Sequence, residues 1–258
     1  MASLNKSNLG LVAARQTKED FAVLATSCVC THKIVTVYDR SFVFPLYLYP
    51  AEGEFKEGRH HNLNPEFLQT FSEKLGLNFV EDGKGDLTET FGPEDIFNYA
   101  YAFFHSPTYR SRYGEFLNID FPRLPLTSDK ELFKSLTEKG DELVSLHLIQ
   151  SLLLEKLYTQ VKFDVPGSGV VEKVSYDEKT QRVSINKTQY FEGVPPEVWN
   201  FHIGGYQVCD KWLKDRQKVR RKLTVDETQH YQKVVVALKE TIRLMGEINT
   251  LIPGWPME

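Results

Sequence analysis

The apolar residues of this chain change their spacing along its length, and this change constrains the fold more than any other feature. Before residue 50 they occur in short runs rich in β-branched and aromatic side chains, with polar turns between them, which is typical of β-strands. From Asn64 onwards they recur at helical spacing behind capping residues. We therefore predict an α+β fold in this order: an N-terminal mixed or antiparallel sheet, a central helical region, a second small β-hairpin unit and a long C-terminal helix.

Four apolar runs form the predicted N-terminal sheet, at 9–12, 21–25, 33–38 and 42–49. Residues 39–41 have the composition of a hairpin turn between the last two runs. Both alternating sets of the 42–49 run are apolar, so we expect this run to be a central strand that is covered on both faces. The polar stretch 51–62 then predicts a surface loop.

Capping residues mark the predicted helices. Asn64, which a proline follows, predicts a helix start, and Gly76 predicts the end of that helix. Ser128 and Thr224 each stand three residues before a glutamate, which is the spacing of a capping box. Gly140 is expected to separate two helices of the central region. The helix that Thr224 begins is predicted to be the long C-terminal one.

The pattern divides one module, residues 1–258, into four subregions. They are β-rich residues 1–50, helical residues 63–158, a β-hairpin and basic segment at 159–222, and the C-terminal helix at 223–250. The hairpin is predicted from apolar runs at 170–176 and 182–186, which flank a polar turn.

The segment 199–222 reverses the charge of the chain. The formal net charge is −4, yet residues 210–222 hold seven Lys/Arg side chains against two aspartates, a local charge of +5. Residues 51–100 carry eleven acids and four bases, a local charge of −7. A chain that contacts a polyanion with one face would be polarised in this way, whereas a merely solvated basic face is the alternative interpretation. The Gly204-Gly205 turn and the aromatic residues beside it favour a binding site.

Sequence motifs for catalysis are incomplete. Cys28 and Cys30 share one face of a predicted strand without a second thiol pair, so we interpret them as strand packing rather than a metal site. His60 and His61 have no third ligand nearby. Residues 194–197 hold the two prolines of an adenine-methyltransferase loop without its amide or its aromatic residue. We therefore expect no catalytic, cofactor-binding or metal-binding residue in this chain.

Composition and targeting patterns indicate the compartment. The chain has three cysteines, no signal-peptide pattern at its N-terminus, and no apolar run that approaches about 18 residues. These features predict a cytoplasmic protein with reduced thiols and no membrane partner.

Several short stretches form an ordered set between residues 8 and 247. They are NLGL at 8–11, FPLYLY at 44–49, YAYA at 99–102, HSPTYR at 105–110, FPRLP at 121–125, Gly140 with Leu143 and LHL at 146–148, Asn186 with QYF at 189–191, FHIGGYQV at 201–208 and KWLKDR at 211–216. Taken together, this set resembles the C-terminal specificity domain, or target recognition domain, of type ISP restriction-modification enzymes and of related large adenine-specific DNA methyltransferases.

The resemblance implies a function and a set of partners. In those enzymes one polypeptide carries nuclease, helicase and methyltransferase portions before a domain that reads an asymmetric DNA sequence. By this resemblance the chain binds double-stranded DNA and works with methyltransferase and helicase-nuclease portions, in cis or as separate subunits. S-adenosylmethionine, ATP and Mg would belong to those portions, with no cofactor in this chain. These 258 residues would then be an excised domain, a separate subunit or a remnant.

Candidate DNA-binding residues come from the basic segment and from two matched stretches. Phosphate contacts are predicted for Lys211, Lys214, Arg216, Lys218, Arg220, Arg221 and Lys222. Tyr206 and Gln207, beside the Gly-Gly turn, are candidate readers of bases, and Arg110 and Arg112 are further candidates.

Two other classes of function remain open from the sequence. The first is a protein-interaction module that docks a methyltransferase subunit without reading DNA, which the acidic 51–100 region favours. The second is an enzyme, such as a divergent hydrolase, for which no site assembles in the sequence. The leading prediction is a non-catalytic, sequence-specific DNA target recognition domain.

Overall fold

A computed structural model describes residues 6–50, 58–163 and 165–254. The chain divides into two compact units: unit 1 comprises Met1–Val144 and Leu244–Glu258, and unit 2 comprises Ser145–Arg243. Helices and several small, mostly antiparallel sheets occur in the described residues, which confirms the predicted α+β class. Among the described helices, none combines the length and the hydropathy needed to cross a membrane.

The N-terminal sheet of unit 1 has three antiparallel strands in the order β2-β1-β3. The strands are β1 (Gly10–Ala14), β2 (Val23–Thr26) and β3 (Ser41–Pro45). Val12 lies opposite Leu24 on one side and Val43 on the other. Because β1 is hydrogen-bonded along both edges, it is the central strand, and its Val12 and Ala13 side chains are buried.

The prediction of one central strand over 42–49 is wrong. β3 lies at the edge of its sheet, and the following β4 (Tyr47–Leu48) pairs instead with β5 (His60–His61) in a second small sheet. Phe42 and Phe44 are 45% and 43% exposed, and their rings flank Phe121 at centroid distances of 5.5 and 5.2 Å. Both alternating sets of residues 42–49 are apolar because the partly exposed rings of Phe42 and Phe44 also pack against another ring, that of Phe121. The predicted loop 51–62 includes β5, and residues 51–57 lie outside the described part of the chain.

The predicted strand at 33–38 is absent, because this stretch consists of bends and irregular backbone. The Val37 N–H donates to the Glu19 carboxylate at 2.9 Å, and the Ile34 N–H donates to Ser41 Oγ at 3.2 Å. Side-chain oxygens therefore accept the backbone N–H groups that would be hydrogen-bonded to a neighbouring strand in a sheet. With no strand before it, the stretch 39–41 is not a hairpin turn.

The two cysteines of the CVC motif do not pack on a strand face, as the sequence had suggested. They follow β2 in a bend, with Cys28 exposed and Cys30 partly buried. The Cys30 thiol donates to Thr26 Oγ1 at 3.1 Å. Within the described residues, no group of three or more His, Cys, Asp or Glu side chains is placed to hold a metal ion.

The helical part of unit 1 follows the predicted caps at its start. Asn64 Oδ1 accepts the N–H of Glu66 at 2.7 Å, and Gly76 ends the helix with a φ of 59°. The helices are α1 (Pro65–Leu75), α2 (Pro93–Phe104), α3 (Pro107–Arg112), α4 (Gly114–Leu117) and α5 (Lys130–His147), and the short parallel strands β6 (Asn78–Phe79) and β7 (Thr90–Phe91) lie between α1 and α2. The core between them is aromatic and consists of Phe71, Phe91, Tyr99, Phe103 and Phe133, all fully buried.

Two predictions about α5 are wrong. The N–H of Leu132 donates to Asp129 Oδ1 at 3.0 Å, so Asp129 rather than Ser128 caps the helix. Gly140 does not separate two helices, because α5 continues through it. A Cβ atom at Gly140 would lie 1.9 Å from the carbonyl oxygen of Asn98 on α2. The glycine is needed because the backbones of α2 and α5 touch there.

Unit 2 contains the second β element and the basic segment. Its elements are α6 (Leu152–Leu157) with a 3-10 turn at Tyr158–Gln160, then β8 (Ser175–Asp177), β9 (Arg182–Ser184), β10 (Tyr190–Glu192), α7 (Pro196–Trp199), β11 (His202–Ile203), β12 (Tyr206–Gln207), α8 (Val208–Lys218) and α9 (Val225–Leu251). The predicted hairpin is confirmed as β8–β9, and β10 adds a third antiparallel strand that the sequence did not suggest.

The start of α9 confirms the second predicted capping box. The Glu227 N–H donates to Thr224 Oγ1 at 3.1 Å, and the Thr224 N–H donates to the Glu227 carboxylate at 3.2 Å. The core of unit 2 includes the stacked rings of Phe163 and Phe191, whose centroids are 4.4 Å apart, with Tyr231 of α9 packed 4.5 Å from Phe191. The division between the two units falls within α5 and within α9.

Candidate nucleic-acid interface

The seven cations of the basic segment lie on α8 and on the loop that follows it. We call Lys211, Lys214, Arg216, Lys218, Arg220, Arg221 and Lys222 the cationic cluster. The Gly204-Gly205 turn joins β11 to β12 as predicted, with Gly204 at a φ of 54°. Gln207 ends this hairpin, and its side-chain amide donates to the Trp199 carbonyl at 2.7 Å. The hairpin thus fixes the point at which α8 starts.

Lysines on α8 pair with aspartates one turn away. Lys211 and Lys218 both contact Asp215, the latter at 3.1 Å, and Lys214 Nζ lies 2.7 Å from Asp210. The side chains of Lys214 and Lys218 are 55% and 72% exposed. Exposed pairs of this kind contribute only about 0–1 kcal/mol, so these lysines can exchange their aspartates for another anion at little cost.

Arg216 and Arg221 converge on one carboxylate. Their Nε atoms lie 3.4 and 3.1 Å from Glu227, whose side chain is 15% exposed. The Arg216 guanidinium lies 3.2 Å from the centroid of the Trp212 ring and donates to the Trp212 carbonyl at 3.0 Å. Burial opposes the charge of Glu227, but the N–H of Thr224 and the two guanidiniums outweigh it and lower the pKa of Glu227. These two arginines therefore connect α8 to the start of α9.

The loop after α8 begins at Val219, and its second residue, Arg220, has a left-handed backbone conformation at a φ of 48°. Its N–H donates to the Gln217 carbonyl at 3.0 Å, and the Arg221 N–H donates to the Arg216 carbonyl at 3.0 Å. This pair of bonds is the Schellman arrangement that closes many helices. In the part of the chain that the structure describes, the exposed Arg220 side chain has no acidic partner.

The following residues are tied to a distant part of the chain. Lys222 pairs with Val170 in an isolated antiparallel bridge, and the Leu223 N–H donates to the Gly169 carbonyl at 2.9 Å. Lys222 is exposed, and within the described residues no carboxylate lies within ion-pair distance of it. The backbone of the loop is thus held at both ends while its cationic side chains face outwards.

Aromatic side chains lie beside the cationic cluster. Lys211 Nζ lies 5.6 Å from the centroid of the Tyr206 ring on the preceding hairpin. Trp212 is partly buried, and the centroid of its ring lies 5.1 Å from that of Tyr231 and 5.9 Å from that of His230. Burial, and then the charge of Arg216, lower the pKa of His230. The lowered pKa favours the neutral form of His230, so the positive charge of this surface comes from its lysines and arginines.

The remaining two candidates, Arg110 and Arg112, belong to unit 1. Arg110 is partly buried, and its Nε donates to the Phe104 carbonyl at 2.7 Å, at the C-terminal end of α2. Burial lowers the pKa of Arg110 to about 10, so it remains charged at neutral pH. Arg112 is exposed at the end of α3. A DNA contact by either residue stays a prediction, and Arg110 has a clear structural role.

Sequence reasoning missed two features of this surface. The first is Glu227, which the capping box identified only as a helix-start residue and which also holds two arginines. The second is the left-handed backbone of Arg220, at a position where glycine is usual. By contrast, the Asp–Lys ion pairs of α8 can be predicted from the sequence, because their members are four residues apart on one helix.

Fold and site together define an α+β chain that presents clustered cations from a rigid helix–loop frame. The family model of the type ISP C-terminal specificity domain matches residues 1–247, and the chain belongs to this family. No curated protein sequence matches it significantly.

Three solved structures share the fold. One is a cryoEM structure of a DrdV–DNA complex, with a TM-score of 0.69 and 22% identity over 93% of this chain. A nuclease-deletion mutant of the type ISP restriction-modification enzyme LlaGI, in complex with a DNA substrate mimic, gives a TM-score of 0.65 and 19% identity over 98% of this chain. The ATP-dependent type ISP restriction-modification enzyme LlaBIII, bound to DNA, gives a TM-score of 0.67 and 17% identity over 98% of this chain. The chain spans 24%, 22% and 16% of the lengths of these three proteins.

Proposed function

We propose that this chain recognises a target sequence in double-stranded DNA for a type ISP restriction-modification system, and that it performs no chemistry by itself. The family match over residues 1–247 carries this proposal. The cationic cluster supports it, because a concentrated positive field on a chain of net charge −4 favours a polyanionic partner. The three structures of similar fold are all of proteins in complex with DNA or a DNA mimic.

The proposed surface contains two kinds of cation, those that contact DNA and those that hold the frame. Lys214, Lys218 and Lys222 are exposed and lightly paired or unpaired within the described residues, so they contact phosphates. Arg216 and Arg221 hold the frame through Glu227. The local field is weaker than the charge of residues 210–222 indicated, because Glu227 pairs with two of their arginines. The formal charge of residues 210–227 is +3.

The partners proposed from the sequence remain part of this function. The chain would direct a methyltransferase portion and a helicase-nuclease portion, joined to it in cis or as separate subunits, in the cytoplasm where the DNA lies. S-adenosylmethionine, ATP and Mg would act in those portions. The short share of each similar structure that this chain covers, 24% at most, agrees with such a division of labour.

A second candidate function is a module that docks a methyltransferase subunit without reading DNA. An apolar groove of about 490 Å³ in unit 1 favours it. Phe44, Phe67 and Phe121 line this groove, and Phe44 is 43% exposed. The groove and the cationic cluster are different surfaces in different units, so the two functions can be tested separately.

Binding of random-sequence duplex DNA by the 258-residue chain at low salt, measured by electrophoretic mobility shift, tests the first proposal. We expect binding that weakens steeply as salt rises, because phosphate contacts release counterions. Absence of binding at low salt would favour the docking module instead. In a parallel assay, we expect no transfer of a labelled methyl group from S-adenosylmethionine to DNA, and measurable transfer by the pure chain would overturn the non-catalytic assignment.

A further inference from the structure

Arg220 adopts a backbone conformation that is costly for its residue type. Its φ of 48° is in the left-handed region, and it occupies the position after α8 where glycine or asparagine normally closes the helix. For an L-residue with a Cβ atom, this conformation costs about 1–2 kcal/mol relative to glycine. Folding alone would therefore favour glycine at this position.

No contact within the described protein compensates for this cost through the side chain. Arg220 is exposed, and the hydrogen bonds, ion pairs and ring contacts of the described residues do not include its guanidinium. Its neighbours differ in this respect, since Arg216 and Arg221 share Glu227. The helix dipole favours a cation near the C-terminus of α8, but a lysine would satisfy the dipole equally well.

The frame around Arg220 is fixed on both sides. The two Schellman hydrogen bonds hold it to the last turn of α8, at 3.0 Å each. Two residues later, Lys222 is bridged to Val170. A side chain that must find one base edge benefits from such a frame, because a recognition group has to be held within about 0.5 Å of its productive position. Phosphate contacts need no such precision, since long flexible lysines reach them from many positions.

We infer that Arg220 is a base-reading residue, whose guanidinium contacts the O6 and N7 atoms of a guanine in the major groove. Arginine forms this bidentate contact more often than any other specific base contact, and lysine cannot reproduce its fork. The inference rests on the proposed function and assigns a different task to Arg220 than to the phosphate-binding lysines. In this role the Arg220 side chain determines part of the target sequence, which a glycine at the same position could not do.

The experiment selects binding sites for the 258-residue chain from a randomised duplex pool and sequences the enriched DNA. Three variants are compared with the wild type: Arg220→Gly, Arg220→Lys and Lys222→Ala. We expect Arg220→Gly to raise the Tm by about 2–4 °C, because the backbone cost is removed. We expect both Arg220 variants to lose preference for one G·C pair by about 5-fold or more while keeping preference at the other positions.

Lys222→Ala is the matched control, because it removes an exposed cation two residues away. We expect it to keep every position of the enriched motif and to weaken binding to all sequences alike. If Arg220→Lys keeps the full motif and Arg220→Gly lowers the Tm, Arg220 serves the helix dipole and the inference is wrong. If the wild-type chain enriches no motif, the proposed function fails and this inference fails with it. A wild-type motif that Arg220→Gly retains at every position overturns the inference alone.

Discussion

Glu227, at the start of α9, has two structural roles, and the sequence indicates only one of them. Glu227 completes the capping box with Thr224 and also forms ion pairs with two guanidiniums, those of Arg216 and Arg221. Removing its charge leaves both arginines without their shared carboxylate, and Arg216 is held against Trp212 at an exposure of only 23%. Loss of these ion pairs therefore lowers the free energy of unfolding, and it removes no contact to a ligand.

We predict that Glu227→Gln destabilises the chain at pH 7 and removes part of its acid sensitivity. The folded pKa of Glu227 is below its usual value of 4.5, so ionisation is favoured by folding. This stability is fully present above pH 4.5 and is lost as the pH falls through the lower folded pKa. The difference in Tm between wild type and variant should therefore be largest near neutral pH and shrink below pH 4.5. Glu178→Gln, at an exposed turn position, is the control, because it removes one carboxylate charge away from the start of α9.

At the scale of elements, close contact between backbones overrides helix propensity. Gly140 lies inside α5, where alanine would normally be the better helix former by about 1 kcal/mol. A Cβ atom there would meet the Asn98 carbonyl oxygen at 1.9 Å, which belongs to the backbone of α2 and cannot rotate away. The contact between α2 and α5 therefore requires glycine.

We predict that Gly140→Ala destabilises the chain by about 1–3 kcal/mol, since α2 and α5 must separate to admit the methyl group. Gly246→Ala provides a matched control within α9, because a Cβ atom at Gly246 would meet nothing within 4 Å. The control should be neutral or should stabilise the chain by about 1 kcal/mol. Urea denaturation followed by circular dichroism measures both. Equal effects from the two variants would show that the α2–α5 contact is less tight than the structure indicates.

At the scale of the whole molecule, charge is distributed unevenly. The chain has a formal net charge of −4, and residues 51–100 alone carry −7. Attraction of DNA therefore depends on local fields, which decay within about 10 Å at 0.1 M salt. The affinity of the proposed surface for DNA should accordingly depend more on the salt concentration than on the net charge of the whole chain.

We predict that Lys214→Ala, Lys218→Ala and Lys222→Ala together flatten the salt dependence of DNA binding. Each lost phosphate contact reduces the log–log slope by about 0.9, so the triple variant should lose up to about 2.7. The matched control replaces Lys156, Lys179 and Lys187, three exposed lysines of the same unit, with alanine. It removes the same net charge, and its slope should stay close to that of the wild type. Equal flattening by both variants would mean that the cationic cluster has no special role.

Local interactions explain why several features were predictable from the sequence alone. The start and end of α1, the capping box of Thr224 and the Gly-Gly turn each depend on residues within about five positions of one another. The α+β class followed from the change in apolar spacing, and the family was recognisable from short stretches in a fixed order. The position and sign of the cationic cluster were likewise set by the sequence.

Tertiary structure decided the features that depend on contacts between distant residues. Phe42 and Phe44 lie on an edge strand because β3 pairs only with β1 in its sheet, and their rings contact Phe121, far along the chain. Gly140 is required by Asn98, and residues 222–223 are held by residues 169–170. Arg216 and Arg221 pair with Glu227 and hold α8 and its loop to the start of α9, while Arg220, in the same run of cations, is exposed. A sequence pattern identifies which residues carry charge, but the free energy of each cation depends on which acids and rings the fold places beside it.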